Sequence, residues 1–375
     1  LPEHRSMLVD FLVTLATPEG DASAPDGVSG IAQTVIDKVF ETLHPDNNPK
    51  PYDPKIDAEI AEAVTAYNLP VDRYTSWFEI EDAFFDAGRV DLAARAHRYA
   101  VPIVPDCAQM AHDSAITAVY SGQTQTAETM PNFFWRTINE AVSRYPVLSQ
   151  PTQFAVGDAR VVALDLAEVC PQGGDSAKKQ ASIMYTLARY ALAQRFYMDE
   201  GAIEFFPERY QSHYREHINA LKGEPKLQAM DEFHRTGGVQ GIRRIIENDI
   251  REGRKFGVQV ALFSQDANDF DDIFVRLSST RFILGADTPE TADEVVRRFG
   301  LTPTARDVIL NRITKPGRRG AGVYISTRTD QGSGEMFGYL TLGPIELWAY
   351  NSTAKDRTLR DQLYRSLGVR ETLTL

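Results

Sequence analysis

The hydrophobic period of this chain changes at Pro151, and that change limits what it can fold into. Before it, apolar residues recur at three- and four-residue spacing in MLVDFLVTLA (7–16), IAQTVIDKVFETL (31–43) and FFWRTINEAVSRYPVL (133–148). That is the repeat of helices burying one stripe. WFEIEDAFFDAG (77–88) and RVDLAARAHRYA (89–100) read as shorter amphipathic helices. The loops between carry turn chemistry, PEGDASAPDGVSG and the proline-rich HPDNNPKPYDPKID. Residues 1–150 therefore read as a mainly helical domain with no catalytic spacing, in which His97 and His112 stand apart from partner Cys or His residues.

After Pro151, strands alternate with helices. FAVGDARVVALDLAEV reads as a hairpin-like pair turning at Gly157-Asp158, with 161–164 as a buried strand. QGGD then opens a long helix from Ser176. The run LQAMDE (227–232), a helix within 238–255 and the strand GVQVALFSQ (257–265) follow. TRFILGA (280–286), a helix from Pro289, the strand-like GAGVYISTR and EMFGYLTLG, and a helix from Ala354 complete the pattern. This order predicts an α/β domain over 151–375 with a largely parallel sheet. About 24 residues separate Glu232 from Gly257, enough for a crossover helix, so MDE and FSQ should end neighbouring parallel strands. Ligands of open α/β sheets bind at that carboxyl edge.

Asp231 and Glu232 are the leading candidates there. A strand-end Asp can hold Mg²⁺ against nucleotide phosphates, and an adjacent Glu can deprotonate the attacking water. Gln228 interrupts their apolar run. Asp165, after VVAL, is a rival metal ligand, but Leu166 follows it and offers no base. Gln265 closes FSQ, and its amide could sense a γ-phosphate by donating and accepting together. Arg251, Arg254 and Lys255 precede that strand at its amino end, placed to serve a neighbouring subunit as an arginine finger or simply to suit a helix C-terminus. The loop KPGRRG (315–320) is basic, as a solvated loop or as a contact for a nucleic acid or partner. His213 and His217 have helical metal spacing without an evident third ligand, and His234 stands alone.

The chain of 375 residues has a net charge of −12, so no global basic field draws it to nucleic acid or anionic lipid. Its cysteines, Cys107 and Cys170, are too few for a disulfide framework, which fits a reducing compartment. No apolar run approaches the roughly 18 residues of a membrane span. The N-terminal stretch lacks the cationic and cleavage features of a signal peptide. It begins at Leu1 rather than Met, which reads as a fragment or processed product. No G-x-x-x-x-G-K-[ST] occurs anywhere in the sequence.

The runs DEFHRTGG, IREGRKFGVQVALFSQ, STRFILG and LGPIELWAYNSTAKDRTLRDQLY, in this order, resemble the C-terminal ATPase domain of the DotO/IcmB family. These are VirB-type ATPases of Dot/Icm type IV secretion systems, with the TraU proteins of conjugative plasmids as relatives. LATPEG, DNNPKPY, RYAVPIV, YPVLS and GDARVVALDL are similar to the same family, so the resemblance spans nearly the whole chain. It implies a RecA-like P-loop NTPase core interrupted by an all-α inserted domain. It makes Asp231 and Glu232 the Walker B acids, with Asp231 on Mg²⁺, Gln265 the sensor and Arg254 the ring arginine. It implies ATP as the cofactor and a homo-hexameric motor at the cytoplasmic face of the bacterial inner membrane. Such a motor works with a second motor ATPase or a coupling complex to move protein or nucleoprotein. LPEHRSML resembles sequence downstream of the family's Walker A loop, so the expectation is a fragment that binds nucleotide weakly or not at all. The alternatives are a docking module of a secretion machine without an active-site role, and a metal-dependent hydrolase using Asp231, Glu232 and the histidines.

Overall fold

The computed structural model describes residues 2–20, 23–122, 127–154, 156, 159–171, 173–237, 240–313, 320–351 and 353–372. The chain divides into two compact units, Leu1–Leu262 and Phe263–Leu375.

The first unit opens with α1 (Pro2–Ala16), α2 (Val28–Thr42), α3 (Ala58–Ala66), α4 (Trp77–Asp86), α5 (Val90–Ala100), α6 (Val104–Met110), α7 (Ser114–Val119) and α8 (Met130–Arg144). Local chemistry sets their starts. The Asp57 carboxylate accepts the amides of Glu59 and Ile60 at the head of α3. Ser76 and Glu79 form a reciprocal capping box on α4. The stripes seen in the sequence then converge. Leu12, Leu15, Ile31, Val35, Phe134 and Ile138 bury together on α1, α2 and α8. Ile60, Trp77, Ile80 and Phe84 form a second cluster on α3 and α4. Each such side chain contributes about 1.5–3 kcal/mol of apolar burial.

Next come α9 (Asp175–Ala193), α10 (Glu208–Lys222), β1 (Lys226–Met230), α11 (Gln240–Gly253) and β2 (Val258–Leu262). Helix α9 ties this part to the helical core: Ile183 is fully buried in it, and Lys179 Nζ donates to the carbonyls of Leu15 and Thr17 at 2.8 and 2.7 Å. Strands β1 and β2 pair in parallel, Met230 beside Leu262, as the crossover length predicts. α11 bridges them with Ile242, Ile246, Asp249 and Gly253 buried along one stripe. Gly253 is required by close approach, since a Cβ there would meet the Val258 carbonyl oxygen at 2.8 Å. Gly257 turns the chain into β2 at φ 67°, in the left-handed region.

Residues 161–164 are not the buried strand that the sequence predicts. They pair with no strand among the described residues, and Val161 is 90% exposed. The expected turn at Gly157-Asp158 lies outside the described residues.

The second unit holds α12 (Asp272–Leu277), β3 (Thr280–Ile283), α13 (Pro289–Phe299), α14 (Pro303–Asn311), β4 (Ala321–Thr329), β5 (Gly332–Leu340), α15 (Pro344–Tyr350), α16 (Ala354–Leu367) and α17 (Val369–Thr372). Its sheet, β3-β4-β5, is antiparallel throughout. The expectation of a largely parallel sheet is therefore corrected. Only Asp330 and Gln331 separate β4 from β5, and so short a link can return the chain only antiparallel. Ile283, Ala292, Ala305, Ile309 and Tyr324 form the core of this unit. The architecture is α/β and mainly helical, with one small parallel sheet and one antiparallel sheet. Among the described residues no helix is long and apolar enough to cross a membrane.

Candidate functional site

The acid pair sits where β1 ends. Asp231 follows Met230 directly and is exposed, while Glu232 is half-buried. The chain breaks sharply at Glu232, which holds φ 51° and ψ 47°, left-handed values unusual for a residue with a side chain. Two bonds stabilise the turn. Asp231 Oδ1 accepts the Glu232 amide at 2.9 Å, and the Glu232 carbonyl accepts the Arg235 amide at 2.9 Å. A 3₁₀ turn, Phe233–Thr236, follows, and fully buried Phe233 anchors it under the Arg243 guanidinium. The carboxylates are thus carried past the strand on a stiff elbow. His234 Nδ1 lies 3.0 Å from Glu232 Oε2.

Sequence reasoning missed several neighbours of this elbow. Arg235 Nε is buried and has no hydrogen-bond partner among the described residues. Buried Cys170 has its thiol pushed up to about 11, mainly by burial, with the Arg235 cation opposing. The Tyr185 hydroxyl on α9 is likewise pushed up, first by burial and then by the nearby Cys170. The Arg235 cation opposes that rise, and the charges of Asp231 and Glu232 add to it. Tyr185 on α9 is thus within electrostatic reach of the acid pair, and Arg235 follows that pair in the same turn.

Gln228, the polar break in the β1 run, has a structural reason. Its Nε2 donates to Asp249 Oδ2 at 3.1 Å, and Tyr197 Oη donates to its Oε1 at 3.3 Å. Asp249 also takes a two-pronged contact from Arg189, at 2.5 and 3.1 Å. This network fastens α9 and α11 to β1. One signal for it is present in the sequence: Asp249 falls on the buried stripe of Ile242 and Ile246, and a carboxylate there needs an internal partner.

The other predicted residues are spread out. Arg254 lies at the amino end of β2, the end opposite the acids, since Lys226 pairs with Val258 and Met230 with Leu262. Its neighbours are engaged: Arg251 pairs with Glu247 at 2.7 Å and Lys255 with Asp199 at 2.8 Å. No ion pair forms at Arg254 among the described residues. Gln265 follows β2 in sequence but belongs to the second unit, where it is exposed. The Asp165 carboxylate accepts the Ala167 amide at 2.8 Å in a local turn. His213 and His217 lie on α10, with His213 edge-on to Phe85. Among the described residues no group of three or more His, Cys, Asp or Glu side chains converges as a metal cage would. Apart from Gly320, the KPGRRG loop lies outside the described residues.

An Mg²⁺ bound chiefly by nucleotide phosphates needs only one or two carboxylates from the protein. Asp231, exposed at a strand end, suits that mode better than a protein-enclosed site. No protein-family model and no curated protein sequence matches the chain.

Proposed function

We propose that this chain supplies the metal-holding and water-activating side of an ATPase of the type IV secretion kind, resembling the DotO/IcmB and TraU proteins. The observation that carries the reading is the β1–α11–β2 unit, with Asp231 and Glu232 on a stiff turn at the carboxyl edge of a parallel pair. In this reading Asp231 orients Mg²⁺ on ATP, and Glu232, one residue further on, takes the proton from the attacking water. Arg254 lies a strand's length from its own acid pair, so it acts on the nucleotide of a neighbouring subunit in a RecA-like ring, a homo-hexamer. No G-x-x-x-x-G-K-[ST] occurs in the sequence, so the phosphate cradle comes from other residues. The motor works at the cytoplasmic face of the inner membrane with other secretion components, and its transported cargo is protein or nucleoprotein.

The test is Mg²⁺-dependent ATP hydrolysis by the full gene product. Glu232→Gln should lower the rate by about 100-fold or more while leaving ATP binding in place, since loss of a general base costs 10²–10⁴. Hydrolysis indifferent to Glu232 would overturn the assignment.

One observation favours a docking role instead. Helices α15 and α16 bury no residue among those described, and Ile345, Leu347, Tyr350 and Leu359 are between 49% and 77% exposed. That reading gains if Ile345→Asp abolishes incorporation into a secretion complex while the Glu232 variant assembles and functions normally.

A further inference from the structure

Strand β1 has an open edge. Among the described residues it pairs only with β2, and a two-stranded sheet has little stability of its own. Parallel sheets are ordinarily covered and extended on both sides. Here Leu227 is 61% exposed, and no strand among the described residues pairs with the outer backbone of β1.

A segment of the same chain is anchored near both of its ends. Residues 161–166 carry no ladder, yet their exposure alternates with a period of two. Val161, Ala163 and Asp165 are exposed, whereas Val162, Leu164 and Leu166 are half-buried. That is the burial of a strand with one face packed. Its start is tied to a residue flanking β1, and its far end is tied to α9. At the start, Arg160 Nη2 donates to Glu224 Oε2 at 3.2 Å, just ahead of Lys226. At the far end, Gln180 on α9 holds the Val169 carbonyl at 2.9 Å, and α9 itself packs against the Phe233–Thr236 turn just past the acid pair. Start lies by start and end by end, so the segment runs parallel to β1. Its composition, Val-Val-Ala-Leu, suits a strand better than an exposed coil.

We propose that residues 161–166 add to the open edge of β1 as a third, parallel strand, and that this closure carries Asp165 to the carboxyl edge holding Asp231 and Glu232. With Arg160 beside Glu224, Ala163 falls beside Leu227 and Asp165 beside Ala229. Closure covers an edge that would otherwise pair with another copy of the chain, and it requires no nucleotide.

Cross-linking tests the register. In Ala163→Cys/Leu227→Cys the sulfurs fall on adjacent strands, within disulfide reach. Under mild oxidation at low protein concentration it should form an intramolecular disulfide at least about tenfold faster than Ala163→Cys/Gln259→Cys, whose second cysteine lies one strand further away. Equal rates for the two pairs overturn the proposal. So does a predominantly intermolecular product, which would assign the edge to a second copy. Hydrogen exchange on the unaltered chain tests it without engineered thiols. Amides within 162–166 should exchange at least about tenfold slower than unstructured amides, and Ala163→Pro should abolish that protection while leaving α2 protected. Exchange at the unstructured rate in a chain whose β1 stays protected overturns it.

Discussion

Glu232 is the residue at which sequence and conformation disagree. A left-handed backbone costs a side-chain-bearing residue about 1–2 kcal/mol, and glycine adopts it freely. A turn selected only for stability would carry glycine there, so the carboxylate is kept at the cost of strain. Glu232→Gly should therefore stabilise the first unit, by about 0.5–1 kcal/mol once the extra freedom of glycine in the unfolded chain is subtracted. Chemical denaturation of Glu232→Gly beside Glu232→Gln separates the two effects. Both variants lose the carboxylate, but only the glycine relieves the backbone, so only it should raise the midpoint. Equal midpoints would mean that the turn imposes no strain. The His234 contact adds little to this balance, since both side chains are about a third exposed and exposed pairs contribute at most about 1 kcal/mol.

At the scale of elements, the β1–α11–β2 unit depends on one buried ion pair. The Asp249 side chain is 4% exposed and that of Arg189 20% exposed. Removing one partner strands the other charge, so Asp249→Ala should destabilise the first unit by about 3–5 kcal/mol. The double variant Asp249→Leu/Arg189→Met should cost much less, because it removes both charges and keeps apolar volume. Thermal unfolding of the two variants decides it, and a double variant as unstable as the single one would show that the pair contributes more than compensation. This network also shows what the sequence made legible. The stripe on α11 and the length of the crossover predict two parallel strands, and Met230 beside Leu262 agrees. The acid pair was visible because it ends an apolar run. The partners of Gln228 and Asp249 were not, because α9 reaches them from far along the chain and pairwise distance leaves no local pattern. Residues 161–164 read as a buried strand from composition, but composition reports strand propensity and not the neighbour and register that a ladder also needs. The hairpin of β4 and β5 was legible as two strands, and their direction follows only once the shortness of the link is weighed.

At the scale of the whole molecule, charge sets the response to acid. The net charge of −12 repels itself at neutral pH, yet several carboxylates are held below their ordinary range by partners that exist only in the fold. Asp57 is the most deeply placed of them, 4% exposed. Burial by itself would raise its pKa, but bonds from Arg95, Tyr99 and the Ile60 amide outweigh that and hold it low. A depressed carboxyl contributes its stabilisation above its unfolded pKa, about 3.9, and loses it as pH falls through the lower folded value. The α3–α5 lobe should therefore weaken as pH drops below about 4. Trp77 reports on it directly, since its ring packs 4.6 Å from Tyr99 within the same cluster. With Trp135 and Trp348 replaced by Phe, Asp57→Asn should lower stability at pH 7 by about 1.5–3 kcal/mol, the range for a hydrogen bond to a charged group. The variant and parent curves should then converge as pH falls below the ordinary carboxylate range, to the pH at which the parent carboxyl takes up its proton. Curves that stay parallel down to that pH would place the acid sensitivity elsewhere, on exposed pairs such as Arg306 with Asp293, whose partners are screened by salt. The parent's response in concentrated salt distinguishes the two, because screening weakens the exposed pairs and leaves the buried Asp57 bonds in place.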